Sequence, residues 1–304
     1  MRAWNVLLLL VSLVFSGSSL AQGMSETAGN KDQIFTSSGE QLSLETLAAR
    51  VQQANYVFVG EKHDNPRHHA IERELIRMRF AAKNMSSGSR VVFEMLDESQ
   101  DNLIAKLQAS MNLEEMKTAL NWPQKGWDWE SYGPLFWESM QNQALSSGNI
   151  SRALISSIYK DGKNVLSVTP RLASALQQSE GVQKYLLDQI YASHCGMQSR
   201  ESLQPMLHIQ LAKDASMASA MVATPSAMLI AGGEHTRGAT GVPQHVQQLK
   251  PDASRLIIQL VEKKADKNQP MDYFREIGGA DIIWLTEATQ EKDYCADVKG
   301  RAAQ

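Results

Sequence analysis

The sequence predicts an α/β fold: a mainly parallel sheet with helices on both faces and a helical, aromatic-rich insertion over residues 100–150. Three observations point there. Short continuous apolar runs recur at 56–59, 90–95, 228–231, 256–261 and 282–285, and they lack the in–out alternation of a half-exposed strand, as strands covered on both faces do. Segments between them carry apolar residues every three or four positions, the helical period. Trp122, Trp127, Trp129, Tyr132, Phe136 and Trp137 crowd into 121–150, a segment that breaks the alternation.

In chain order, 34–36 and 41–43 flank Ser37-Ser38-Gly39-Glu40 and predict a small hairpin. Ser43 is a suitable N-cap for a helix over 43–53, with Leu44, Leu47, Ala48 and Val51 on one face. A strand over 56–59, a helix over 71–82, a strand over 90–95 and a helix over 100–120 follow. Beyond the aromatic segment, 164–168 reads as a weaker strand, then 171–193 and 200–222 as helices. The strand over 228–231, a helix over 242–249, and the strands over 256–261 and 282–285 complete the pattern. No Pro/Gly-rich linker divides 34–304, so a single domain is expected.

Compartment is read from the N-terminus. Arg2 precedes an apolar run at 6–15, and Ser19-Leu20-Ala21 offers small residues for cleavage. The run is too short to span a bilayer, so residues 1–21 read as a secretory signal and the polar 22–33 as a disordered leader. Ala21-Gln22-Gly23 supplies no cysteine for an N-terminal lipid anchor. The formal charge of −3, or −4 once Arg2 is removed, argues against nucleic acid as a partner. Cys195 and Cys295 are the two cysteines; in an exported chain an even pair predicts one disulfide.

Two apolar strands each run into a Gly-x-x-His corner: Gly60-Glu61-Lys62-His63, continuing through Arg67-His68-His69, and Gly232-Gly233-Glu234-His235, continuing to Arg237. Ligands of open α/β sheets bind at the carboxyl ends of strands, so Glu61, His63 and His235 are expected at one mouth. A lone histidine after a strand is more often a hydrogen-bonded loop residue; two matched corners, each with a glutamate and a basic residue nearby, argue for a shared site. Glu94 lies on the strand between them, where an unpaired carboxylate is costly; it pairs with a histidine, a metal or an arginine. His68 and His69 fall so that at most one faces the site. His194 reads as structural, His208 as packed near the core, and His245 as a surface residue.

These segments resemble the ChaN-like haem-binding uptake proteins of the Tiki/TraB/erythromycin-esterase superfamily. The resemblance is carried by 57–66 (VFVGEKHDNP) with His69, 92–96 (VFEML), 127–135 (WDWESYGPL), 194–197 (HCGM), 210–218 (QLAKDASMA), 229–235 (LIAGGEH) with 241–243 (GVP), and 280–286 (ADIIWLT). It implies an iron-regulated envelope protein that binds haem, with a homodimer and an envelope haem receptor or transporter as partners and a location in the periplasm, associated with the outer membrane. It also implies an α/β core shared with metal-dependent hydrolases whose active sites would carry over onto Glu61, His63, Glu94 and His235. The chain departs from the pattern in lacking a lipobox cysteine and in having Lys213 where relatives tend to have arginine before the aspartate.

Two functions therefore stand. As a haem-binding protein, the chain would use His63, His235 or Tyr132 as axial ligand, Arg237 and Arg67 for the propionates, and the aromatic segment as a wall. As a metal-dependent hydrolase or protease, it would hold Mn, Co or Zn with Glu61, His63, Glu94 and His235 and activate a water. The spacing matches no established zinc motif.

Overall fold

The structure is a computed structural model that describes residues 32–81, 88–123, 126–289 and 295. The expected signal segment and all of the leader but its last two residues lie outside the described part. Seven strands form one sheet in the order β1-β7-β6-β2-β5-β3-β4: β1 (Gln33–Thr36), β2 (Tyr56–Glu61), β3 (Arg90–Asp97), β4 (Leu145–Asn149), β5 (Ala227–Gly232), β6 (Arg255–Glu262) and β7 (Ile282–Thr286). All pairings are parallel except β1 with β7. The helices are α1 (Leu44–Gln53), α2 (Pro66–Phe80), α3 (Asp101–Ile104), α4 (Leu113–Ala119), α5 (Trp129–Gln141), α6 (Arg152–Val168), α7 (Glu180–Ser193), α8 (Gln204–Val222), α9 (Val242–Leu249) and α10 (Pro270–Ile277).

The central strands β2 and β5 are buried along their whole length, which is why their sequences are unbroken apolar runs. Side chains alternate between two cores. Tyr56, Phe58, Val92, Leu229, Ala231, Ile257 and Ile283 pack with Met217, Met221, Val242, Val246 and Phe274 from α8, α9 and α10. On the opposite face Phe93 meets Phe136 of α5 edge-on at 4.9 Å. A second helical core, including Ile158, Leu166, Leu186, Leu207 and Leu211, joins α6, α7 and α8. The sheet's chain direction changes sides at its centre: from β2 the chain crosses over β5 to β3, and from β5 it crosses over β2 to β6. Such a reversal opens a crevice at the carboxyl ends of the two strands.

Local chemistry sets the element ends. Asn65 caps α2 by accepting from the Arg67 N–H at 2.9 Å, with Pro66 in the first turn; the helix thus starts five residues before the apolar periodicity does. Arg79 is fully buried and donates to the Val51, Ala54 and Asn55 carbonyls, satisfying the end of α1.

Four sequence expectations are corrected. Residues 164–168 are helical, lying beyond a kink at Gly162 that divides α6, and Leu166 is buried in the helical core with Ile158, Leu207 and Leu211. The strand is instead 145–149 (LSSGN), inside the segment read as insertion; a Cβ at Gly148 would lie 2.8 Å from Val92 Cγ1 and 2.9 Å from the Phe93 carbonyl oxygen. The helix expected over 100–120 is broken into α3 and α4, with turns and irregular chain between them. His245, expected at the surface, is fully buried with Nδ1 2.8 Å from Ser174 Oγ. The turn after β1 forms, but β1 finds its ladder on β7 rather than in a full hairpin. No helix among the described residues is long and apolar enough to cross a membrane.

The Cys195–Cys295 disulfide forms across a separation of 100 residues. Closing a loop of that size stabilises by up to about 4–5 kcal/mol on chain-entropy grounds. Reduction is therefore expected to lower the melting temperature by several degrees; a scan unchanged by reductant would show that the bridge adds nothing.

Burial holds the His245 imidazole at a pKa of about 3, against about 6.5 in an unfolded chain. The unfolded state takes up the proton first, so this site's contribution is fully present above about pH 6.5 and falls by about 1.4 kcal/mol per pH unit as pH drops towards 3. His245→Gln is expected to flatten that acid limb in urea titrations; an equally steep limb refutes the assignment.

Candidate functional site

The register places Glu61, last residue of β2, beside Gly232, last residue of β5. The chain after each strand then turns back over the sheet edge. Both corner glycines are dictated by crowding. A Cβ on Gly232 would lie 2.7 Å from His63 Nε2, and one on Gly60 would overlap the Thr236 and Gln259 side chains. Glycine thus lets the first corner's histidine fold against the second corner's strand, so the two Gly-x-x-His motifs meet.

Between them stands Glu94 of β3, buried. Its Oε2 accepts the Gly232 N–H at 2.9 Å and lies 3.8 Å from His63 Nε2. Its Oε1 lies 3.2 Å from His235 Nε2. The other nitrogen of His235 bonds closely to Asp214 Oδ1 of α8, with the Gln210 amide 3.1 Å away. On the near side, Glu61 Oε1 accepts from Tyr132 OH and His63 Nδ1, both at 2.8 Å. Glu61 Oε2 lies 3.1 Å from His69 Nδ1, and that nitrogen is 3.2 Å from Glu72 Oε2.

The result is one alternating row, Glu72–His69–Glu61–His63–Glu94–His235–Asp214, drawn from α2, β2, β3, α8 and the two corners. Burial alone would neutralise its members. For Glu61, burial pushes the pKa up, but hydrogen bonds from His63 and His69 overcome it and bring it to about 2. Glu94 is likewise pushed up by burial and then held well below the carboxylate range by the charge and hydrogen bond of His235, by His63 and by the Gly232 N–H. His235 and His69, despite burial, are raised to about 10 by their carboxylate neighbours. Burial raises Asp214 and Glu72, the two ends of the row, each with an imidazole on one side only.

Glu61, His63, Glu94, His235 and Tyr132 are thus brought together as the sequence suggests, but with unequal access. Tyr132 is 1% exposed and His235 7%, and both are committed to internal hydrogen bonds. The side chain of His63 is 36% exposed and packs against the Trp127 ring at 4.6 Å between centroids. Its Nε2 is the position at which a proton could pass between the row and an incoming molecule. Arg67 and Arg237 stand elsewhere. Arg67 is 3.6 Å from Glu74; Arg237 pairs with Glu234, donates to the Glu276 carbonyl and lies over the Tyr185 ring. The aromatic segment is largely packing: Trp122, Trp129, Tyr132 and Phe136 contact one another.

Three members of the row escaped the sequence reading: His69 as a participant, Glu72 and Asp214. Asn65-Pro66 marks the start of α2 and puts His69 and Glu72 three apart on one face, a local signal. Asp214 carries none, since only tertiary packing brings it under His235. Of the paired histidines, His68 is structural: its Nδ1 accepts the Lys62 N–H at 2.9 Å and Nε2 faces Thr286 Oγ1 at 3.0 Å, and burial lowers its pKa to about 4.

A second feature lies on the helical side. Ile155, Ser156, Tyr159 and Lys160 of α6 and Met206, Ile209 and Lys213 of α8 line a groove of about 420 Å³. Tyr159 is 56% exposed there.

A family model described as haem-binding uptake, Tiki superfamily, ChaN, matches residues 47–246. A structure of ChaN of Campylobacter jejuni, described as showing cofacial heme binding, superposes with a TM-score of 0.66 at 22% identity, covering 85% of this chain and 98% of that one. A Bacillus cereus protein aligns over 80% of this chain and 91% of its own at 11% identity, with a TM-score of 0.39. No curated protein matches. The chain belongs to the ChaN haem-binding uptake family of the Tiki superfamily.

Proposed function

We propose that the chain is an exported haem-binding protein of iron acquisition and that haem docks in the groove between α6 and α8. The donor set of that groove carries the proposal. A porphyrin is a flat apolar disc with two carboxylates on one edge and an iron that takes a further ligand, and tyrosine is among the side chains that hold haem iron. Ile155, Met206 and Ile209 supply apolar wall, Tyr159 an exposed phenol, and Lys160 and Lys213 two ammonium groups. The volume of about 420 Å³ falls in the usual range for small-molecule sites, about 300–1,000 Å³.

The strand-end residues fit the disc less well. His235 and Tyr132 are enclosed and bonded, and Arg67 and Arg237 face acidic side chains; His63 alone offers an edge. Cofacial heme binding, as described for the Campylobacter protein, supports a homodimer here, because an open groove covers one face of a disc and leaves the other for a second disc on a second copy. The secretory character of residues 1–21 supports a periplasmic location, where haem would be exchanged with an envelope receptor or transporter.

Titrating haem-free protein with hemin is expected to give a saturable Soret shift with a phenolate charge-transfer band. Tyr159→Phe should remove that band and weaken binding by about tenfold or more, about 1.4 kcal/mol, whereas His63→Ala should change neither. Loss in His63→Ala with none in Tyr159→Phe would place haem at the strand ends, and no saturable shift would defeat the haem reading.

A further inference from the structure

We propose that Glu61, His69 and Glu72 form a buried site for one divalent transition-metal ion of the manganese, iron, cobalt or zinc class. The site shares no residue with the α6–α8 groove and does not depend on haem. One donor atom from each residue lies within 4.8 Å of the others, a spacing that a single ion can bridge with small side-chain adjustments.

The imidazole is already turned for the task. His69 Nε2 lies 3.1 Å from the His63 carbonyl oxygen, so its N–H donates there and Nδ1 faces the two carboxylates at 3.1 and 3.2 Å. An outer hydrogen bond to a backbone carbonyl that fixes the opposite ring nitrogen is how metal-ligating histidines are held. A proton on Nδ1 does not fill the space as an ion would. Glu72 Oε1 is buried with no hydrogen-bond partner among the described residues, Glu61 Oε2 faces His69 Nδ1 at 3.1 Å, and both side chains are wholly enclosed. Among the described residues, the ion pairs of both carboxylates run only to histidines. Burial and the neighbouring Glu61 carboxylate both raise the Glu72 carboxyl group, because two acidic side chains close on one enclosed space. A divalent ion would let both carboxylates ionise where they converge.

The donors also select the ion. Two carboxylate oxygens and one imidazole nitrogen, with no sulfur, suit Mn²⁺, Fe²⁺, Co²⁺ or Zn²⁺ over Cu⁺, while Ca²⁺ and Mg²⁺ favour all-oxygen sets. Three protein ligands leave room for water. Glu61 would then be held by the ion through one oxygen and would orient His63 Nδ1–H through the other, linking the ion to the exposed edge of the row.

The test uses the full-length exported chain stripped with chelator and dialysed. Calorimetric titration with Mn²⁺, Co²⁺ and Zn²⁺ separately should show one equivalent bound for at least one ion, with a matching rise in melting temperature. Glu72→Gln preserves shape and His69→Gln preserves polarity; each should weaken that binding by about tenfold or more and cancel the thermal shift. Hemin binding in Glu72→Gln should be unchanged, which separates this site from the haem reading. Where one variant loses its near-ultraviolet circular dichroism, the other decides. No saturable binding of any of the three ions, or binding retained in the folded variants and lost instead in His235→Gln, overturns the proposal.

Discussion

Negative charge held inside the protein is the condition that the rest of this site answers to. Glu61, Glu72, Glu94 and Asp214 are all at most 5% exposed, and an isolated carboxylate moved out of water costs several kcal/mol even after relaxation. The fold meets that cost by alternation. Each interior carboxylate of the row has an imidazole on either side, and each imidazole has a carboxylate on either side. The interactions span sequence separations as large as 141, between Glu94 and His235. Removing one partner leaves its neighbours buried and unpaired, so the row ties α2, the ends of β2, β3 and β5, and α8 into one electrostatic unit.

The alternation depends in turn on small, exact packing requirements. His63 can lie beside Glu94 only because position 232 has no side chain, and His235 can reach it only because the chain after β5 turns at once. Glycine at these corners gives close approach rather than unusual torsion angles, for neither Gly60 nor Gly232 has a positive φ. The Gly-x-x-His motif is the sequence trace of a requirement that an imidazole sit against backbone at the end of a buried parallel strand.

How far this could be read from the sequence follows from where each signal resides. The apolar runs of β2, β3, β5, β6 and β7 are local consequences of burial on both faces, so strand identity was legible, as were Glu61, His63, Glu94 and His235 at the strand ends. Strand β4 was not, because Leu145-Ser146-Ser147-Gly148-Asn149 has the composition of a turn; it is a strand because β3 offers it a ladder and α8 covers it closely enough to require Gly148. The run at 164–168 misled for the converse reason: β-branched residues that favour strands were claimed by a helix whose partners lie on α8. Asp214 was quoted in the resemblance but had no assignable role, since its meaning comes from a histidine 21 residues away.

Electrostatics also separates the two parts of the molecule that could receive a ligand. Haem brings two propionates, so at the interior row they would meet the buried Glu61 and Glu94 carboxylates, whose pKa values are held low, and a repulsion that low dielectric strengthens. At the α6–α8 groove they would meet Lys160 and Lys213 at the solvent boundary, where each close pairing contributes about 1 kcal/mol in water. A metal cation inverts both preferences: it is repelled by the lysines and attracted by Glu61 and Glu72. The same chain can therefore hold an anionic, apolar disc on its helical side and a small cation at the strand ends without either competing for the other's place, and the strand-end row need not be a haem ligand set to account for the carboxylates buried in it.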